Sequence, residues 1–145
     1  MDLKTALTTG LLIILVSMVL SAGCLTGSSP ESREPPVVQP EYFNLVNPSV
    51  SNAVSIEKGK SFYSKNCKNC HGSEGFGDGA QAIMYEPKPT NLHDSQVQDK
   101  SEGELFQLIS EGVKGTSMPA FKWLSEDDRW DIVNFMRTFE VEEGA

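Results

Sequence analysis

The chain has 145 residues, of which 20 are Asp or Glu and 12 are Lys or Arg, so its formal net charge is −8 at pH 7. This length fits a single folded domain. The acidic balance disfavours nucleic acid as a partner and predicts that proteins which dock by charge present basic patches, although an acidic surface also serves solubility alone.

The first 23 residues are typical of an export signal. A short polar start that contains Lys4 leads into an apolar run from Leu11 to Leu20, and small residues then precede Cys24. The run fits the roughly 7 to 15 residues of a signal-peptide core and is short for a bilayer span, which needs about 20. We therefore predict a signal peptide over residues 1–23 and an exported protein, at the periplasmic or another extracytoplasmic face.

Cys24 follows small residues in a way that resembles a bacterial lipobox, in which the cysteine becomes the lipidated first residue after cleavage. Leucine is most usual three places before the cysteine, whereas this chain has Ser21 there and Leu20 one place earlier. Asp2 also weakens the positive start. We adopt lipidation of Cys24; an uncleaved anchor helix and ordinary cleavage that leaves a free thiol are the alternatives. A lipid or an uncleaved helix would each hold the protein at a membrane.

Residues 24–54 are rich in proline and serine, as in Ser28-Ser-Pro30 and Glu34-Pro-Pro36. Such a segment buries too little apolar surface to fold alone and favours extended conformations. We predict a flexible tether over this range. Part of it can still pack on the domain or a partner, because it contains the more apolar Tyr42, Phe43, Leu45 and Val46.

The folded domain is predicted over residues 55–145, and it begins with a helix. Ser55 is the expected N-cap of a helix that starts at the next residue. Gly59, Tyr63 and Cys67 recur at helical spacing, so this stripe faces inward. Glycine inside a helix costs about 1 kcal/mol relative to alanine, which a close approach by another helix would explain.

The helix leads into the motif C-x-x-C-H, formed by Cys67, Cys70 and His71. This spacing indicates covalent attachment of a c-type haem, because both thiols can form thioethers with the haem vinyl groups while the histidine binds the iron. A thioredoxin-like redox pair would need a βαβ context, and a zinc site would need a second pair of ligands. Neither is present, since the remaining cysteine and histidine are Cys24 and His93.

Two further helices complete the domain. Ser101 and Glu104 form a capping box that begins the second helix, and Gly112 is its predicted end. Ser125 caps the third helix, whose apolar residues keep helical spacing. No strand pattern appears, so the sequence predicts an all-α domain with about three main helices.

A second axial iron ligand is expected for an electron carrier, and methionine or histidine can supply it. Met118 is the preferred candidate, because it lies in a loop where the following Pro119 fixes the backbone. Met136 lies on an apolar helix stripe and is interpreted as core filling. His93 and an open iron position are the alternatives.

These features together resemble the class I, monohaem cytochromes c. The resemblance covers roughly residues 55–139 and rests most specifically on C-x-x-C-H and the later Met118-Pro119. It implies an all-α cytochrome c fold wrapped round one covalently bound haem c, with its iron between His71 and Met118. It implies no catalytic residue.

Two contacts are also implied by the resemblance. The first and last helices of this family cross at a glycine, which would place Gly59 and Tyr63 against Ile132 and Phe135. A proline carbonyl that follows the haem motif accepts the N–H of the proximal imidazole in this family. Either Pro87 or Pro89 can fill that role here.

Three stretches are similar to bacterial membrane-tethered cytochromes c that serve respiratory chains: Thr90–Leu92, Gly103–Phe106 and Asp128–Val133. The implied function is a membrane-anchored carrier, not an enzyme, which passes single electrons between respiratory redox proteins. The alternatives are a fixed haem subunit of a larger oxidoreductase and a haem-based ligand sensor with an open iron site.

Overall fold

The computed structural model describes residues 36–139, and this part of the chain is helical and contains no strand. The helices are α1 (Pro40–Phe43), α2 (Ala53–Asn66), α3 (Lys68–His71), α4 (Ser95–Gln98), α5 (Glu102–Glu111) and α6 (Glu126–Arg137), with a 3-10 turn at Ala82–Met84. The predicted all-α fold is therefore confirmed. None of the helices within this range has the length and apolarity needed to cross a membrane. The predicted signal peptide and Cys24 lie outside the described residues.

The N-cap of α2 is Asn52, and the prediction of Ser55 is wrong. The Asn52 side chain accepts hydrogen bonds from the backbone N–H groups of Val54, at 2.9 Å, and Ser55, at 3.0 Å. Ser55 instead lies buried in the first turn, where its hydroxyl donates to the Asp131 carboxylate of α6. The Ser55 hydroxyl is thus engaged in a tertiary contact. Asn52, three residues earlier, accepts the hydrogen bonds from the first N–H groups of the helix.

Helices α2 and α6 cross at Gly59. A Cβ built there would overlap the Asp131 carbonyl oxygen and would lie 2.6 Å from that carbonyl carbon and 2.9 Å from Cβ of Phe135. Tyr63, one turn later, packs on Phe135 with ring centroids 5.2 Å apart and on Phe139 at 5.6 Å. The predicted close approach at the helical glycine is confirmed, with Asp131 and Phe135 as the residues that the glycine faces.

The ends of α5 and α6 follow the predicted capping signals. Ser101 Oγ accepts from the Glu104 N–H at 3.2 Å, and the Glu104 carboxylate accepts from the Ser101 N–H at 2.8 Å. Gly112 ends α5 with a φ of 71°. Ser125 Oγ accepts from the Asp128 N–H at 3.2 Å and begins α6. These caps use partners within one helical turn, which is why local sequence predicts them.

The segment before α2 packs on the domain from Val37 onward. Gln107 of α5 accepts from the Gln39 N–H at 2.9 Å and donates to the Val37 carbonyl at 3.2 Å. The Tyr42 ring packs near Phe106 in a tilted arrangement, with ring centroids 6.4 Å apart. Further along, the Asn47 side chain donates to Asn134 of α6 at 2.8 Å. Residues 36–52 therefore contact α5 and α6, although they belong to the tether predicted over residues 24–54. Residues 24–35 of that tether lie outside the described range.

Candidate haem attachment site

The two motif cysteines lie on one tight turn. Helix α2 ends at Asn66, and the N–H groups of Cys70 and His71 then both donate to the Cys67 carbonyl, at 3.0 and 2.9 Å. Gly72 closes the turn with a φ of 84°, a conformation that favours glycine. Both cysteines are partly buried, and no disulfide joins them. This turn brings the two sulfurs and the imidazole into one short stretch, as attachment to a single porphyrin requires.

Burial raises the pKa of the Cys67 thiol to about 12, and the neighbouring Cys70 acts in the same direction. The thiol therefore stays neutral at physiological pH in the folded chain. Cys70 is the only other cysteine among residues 36–139. A neutral, partly buried thiol is suited to a structural link rather than to rapid thiol exchange.

His71 is held by a backbone carbonyl through one ring nitrogen. Its Nδ1 lies 3.0 Å from the Thr90 carbonyl oxygen, and because a carbonyl only accepts, Nδ1 carries the proton. Nε2 is then the nitrogen with a free lone pair for a metal. Burial lowers the pKa of His71, while the Thr90 hydrogen bond raises it. The acceptor is thus Thr90 and neither Pro87 nor Pro89, which corrects the expectation taken from the family.

Thr90 is positioned by a clasp between two loops, the glycine-rich loop 72–79 and the segment 89–93. The Leu92 N–H donates to the Gly75 carbonyl at 2.7 Å. A Cβ on Gly77 would overlap the Pro89 carbonyl oxygen, so only glycine allows this approach. The contact that these glycines allow between the two loops was not predicted from the sequence. Their spacing after the motif was the available signal.

His93 completes this clasp. Its Nε2 lies 2.7 Å from the Glu74 carbonyl oxygen, and its ring stacks on Phe76 with centroids 4.4 Å apart. Phe139 also packs against the His93 ring, with ring centroids 5.2 Å apart. The structure therefore places His93 between two loops, with one ring nitrogen already engaged by backbone. This position favours a structural role over the alternative of iron ligation.

Tyr63 makes a further contact that sequence reasoning missed. Its hydroxyl donates to the Gly72 carbonyl at 2.7 Å, inside the core. Burial raises the pKa of this tyrosine, and Cys67 and Asp78 act in the same direction when they are ionised. The signal was a tyrosine, rather than a phenylalanine, four residues before the first motif cysteine. Tyr63 thus ties α2 to the residue that follows His71.

The Met118 loop folds back on the end of α5. The Met118 carbonyl accepts from the Val113 N–H at 3.3 Å, and its own N–H donates to Thr116 Oγ1 at 3.1 Å. A Cβ on Gly112 would lie 2.6 Å from the Met118 carbonyl oxygen. The Met118 side chain is partly buried. The loop backbone is therefore fixed on both sides of the candidate ligand.

The other methionines of the described range are placed differently. Met136 is buried in the core on α6, which agrees with its interpretation as core filling. Met84 is 72% exposed in the 3-10 turn. Within residues 36–139, no group of three or more His, Cys, Asp or Glu side chains is arranged to hold a metal ion. Two thiols, a neutral imidazole and a thioether are instead a donor set that suits a covalently attached haem.

Comparisons with known proteins agree with this chemistry. A family model described as Cytochrome c matches residues 56–140. Among solved structures, the chain is similar to one from the Kuenenia stuttgartiensis reducing HAO-like protein complex Kustc0457/Kustc0458, with 31% identity and a TM-score of 0.59. That match covers 77% of this chain and 53% of the other, so this chain corresponds to about half of it. A search of curated proteins gives no significant match.

Proposed function

Because this chain belongs to the cytochrome c family, we propose that it is a class I, monohaem member that carries single electrons between redox proteins. The observation that carries the proposal is the C-x-x-C-H turn with His71 Nδ1 bound to the Thr90 carbonyl. A bound haem c would supply the one-electron couple of its iron. Residues of the chain would hold and orient this haem.

In this proposal Cys67 and Cys70 form the two thioethers, and His71 presents Nε2 to the iron. Met118 is the second axial ligand, delivered by a loop whose backbone is already fixed. Methionine ligation raises the reduction potential relative to ligation by two histidines, and burial disfavours the additional charge of the ferric state. The clasp around Thr90 keeps the proximal histidine in one orientation and tautomer.

The proposal extends to location. The export signal over residues 1–23 and the small residues before Cys24 support a lipoprotein held at the extracytoplasmic face of a membrane. Replacement of Cys24 by alanine should then move the protein from the membrane fraction to the soluble one. Continued retention would favour an uncleaved helix. Redox proteins of a respiratory chain are the proposed partners.

The axial ligand is tested by Met118→Ala, with Met84→Ala as the matched control on an exposed methionine. The wild type should show a low-spin spectrum with the near-infrared band of sulfur bound to ferric haem, and it should bind carbon monoxide poorly when reduced. Met118→Ala should keep the covalent haem, lose the band and lower the potential, while Met84→Ala should change none of these. An unchanged spectrum of Met118→Ala would refute the assignment, and high-spin wild-type protein that binds carbon monoxide would favour the sensor.

A second candidate is a fixed haem subunit of a larger oxidoreductase. The observation that favours it is the similarity to one chain of a complex, of which this chain spans about half. Purification of the native protein under mild conditions separates the two. A carrier should elute at the size of the single chain, whereas a fixed subunit should stay with a second protein at high salt.

A further inference from the structure

The loop that carries Met118 rests on the last turn of α5. The Phe121 N–H donates to the Ile109 carbonyl at 3.0 Å. A Cβ on Gly112 would lie 2.8 Å from the Pro119 carbonyl carbon, so the backbone of the loop and the helix end are in contact. The position of Met118 therefore depends on how firmly the loop is held to this helix end.

Glu111 is an acidic residue at the C-terminal end of α5, where a negative charge is unfavourable. The carbonyl groups of a helix end that lack helical partners carry partial negative charge and repel a carboxylate. The last turn of α5 contains no basic residue. Compensation comes from outside the helix, because Glu111 Oε1 accepts from the Tyr42 hydroxyl at 2.9 Å and lies 2.6 Å from Lys122 Nζ. Lys122 and Tyr42 both lower the pKa of this carboxyl.

The two partners of this carboxylate belong to different parts of the chain. Lys122 follows the Met118 loop, four residues after the methionine. Tyr42 belongs to residues 37–47, which lie before α2 and which we call the strap. The strap is seated closely on α5, because a Cβ on Gly103 would overlap the Tyr42 carbonyl oxygen. One carboxylate oxygen thus links the strap to the Met118 loop.

We propose that Tyr42 and Glu111 are positioning residues for the sixth iron ligand; this rests on the proposed function. Through the Glu111 carboxylate, the strap holds the loop at the end of α5 and so keeps the Met118 thioether on the iron. An iron whose sixth position stays closed transfers electrons without binding added ligands. The strap therefore favours the carrier over the sensor.

Replacement of the thioether by imidazole in the ferric holoprotein measures how often the loop opens. The iron–sulfur bond breaks, an iron–nitrogen bond forms, and no electron is transferred, so the near-infrared sulfur band disappears. At saturating imidazole the rate equals the opening rate of the loop. Tyr42→Phe should raise this limiting rate about tenfold, because it removes only a hydroxyl that donates to a charged group. An unchanged rate would overturn the proposal.

Two control variants separate positioning from a general loss of stability. Ser101→Ala removes the cap at the other end of α5, about 15 Å away along the helix axis. Asn47→Ala removes a hydrogen bond between the strap and α6 that does not involve Glu111. Both should lower the free energy of unfolding and leave the limiting rate unchanged. If either raises the rate as much as Tyr42→Phe does at the same loss of stability, the rate reports stability alone and the proposal is wrong.

A double-mutant cycle tests whether the effect passes through the carboxylate. Lys122→Met should also raise the limiting rate, because it breaks the ion pair with Glu111. In that background Tyr42→Phe should lose most of its effect, since the strap is then no longer linked to the loop. Lys114→Met makes the same change in net charge on an exposed residue of the loop and should leave the Tyr42→Phe effect intact. Effects of Tyr42→Phe and Lys122→Met that simply multiply would contradict this path.

Amide hydrogen exchange provides a readout that does not depend on the iron spectrum. The N–H groups of Phe121 and Val113 donate to backbone carbonyls of the helix end and the loop, so both are protected while the loop is seated. Tyr42→Phe should speed the exchange of these two amides about tenfold, whereas Asn47→Ala should not. Equal exchange in the wild type and Tyr42→Phe would show that the strap does not hold the loop.

Failure of this inference can be told apart from failure of the proposed function. Wild-type protein without the sulfur band would contradict Met118 as the axial ligand, and the role of the strap would fall with it. Wild-type protein with the band, together with unchanged imidazole and amide exchange in Tyr42→Phe, would contradict the strap alone.

Discussion

The helix crossing at Gly59 predicts that Gly59→Ala destabilises the protein, although helix propensity alone would make this substitution stabilising. A Cβ on Gly59 would lie 2.6 Å from the Asp131 carbonyl carbon, whereas carbon atoms in contact stay about 3.5 Å apart or more. Gly59→Ala therefore requires α2 and α6 to separate by about 1 Å. The atoms in the way are mainly backbone, so no rotamer change relieves the overlap.

The energies can be compared directly. Alanine gains about 1 kcal/mol over glycine in helix propensity. Overpacking of a tight contact costs about 1–3 kcal/mol, with the upper end expected where backbone must move. The net loss should be about 2 kcal/mol, which lowers the melting temperature of a domain of this size by about 10 °C.

The measurement is denaturant unfolding of the holoprotein, followed by circular dichroism and haem absorbance, at matched haem content. Ser64→Ala is the control, because Ser64 is exposed on the same helix and gains propensity without a clash. It should stabilise the protein by a few tenths of a kcal/mol. If Gly59→Ala is as stable as the wild type, the two helices do not touch at this glycine and the reasoning is refuted.

Three further substitutions test single contacts. Tyr63→Phe keeps the ring but leaves the Gly72 carbonyl unpaired, which should cost about 1–3 kcal/mol in denaturant unfolding. Burial raises the pKa of Tyr63, so the stability that this tyrosine contributes is fully present below its unfolded pKa near 10 and is lost as the pH rises through the folded pKa. The difference in stability between wild type and Tyr63→Phe should therefore shrink at alkaline pH. Gly103→Ala would overlap the Tyr42 carbonyl, so hydrogen exchange should increase over residues 37–47 while the core stays protected. The hydrogen bond from the Ser101 N–H lowers the pKa of Glu104 in the folded protein. The stability that this carboxylate contributes is therefore present above its unfolded pKa near 4.3 and is lost as the pH falls through the folded pKa. Glu104→Gln should make the free energy of unfolding less dependent on pH in the acid range.

Local signals predicted those parts of the structure whose partners are close in sequence. The capping box of Ser101 and Glu104, the cap at Ser125 and the helical stripe of Gly59 and Tyr63 were all available from spacing alone. The two caps bond to groups within about one helical turn, and the stripe follows from the helical period. The same holds for the turn of the C-x-x-C-H motif.

Contacts between distant segments were not predictable in the same way. Asn52 and Ser55 are equally good caps by residue type, and the choice depends on Asp131, which lies 76 residues after the serine. The acceptor for His71 depends on how two loops close around Thr90, not on where a proline stands. The segment before α2 has a composition typical of a linker, yet side chains of α5 and α6 supply the hydrogen bonds that its backbone needs.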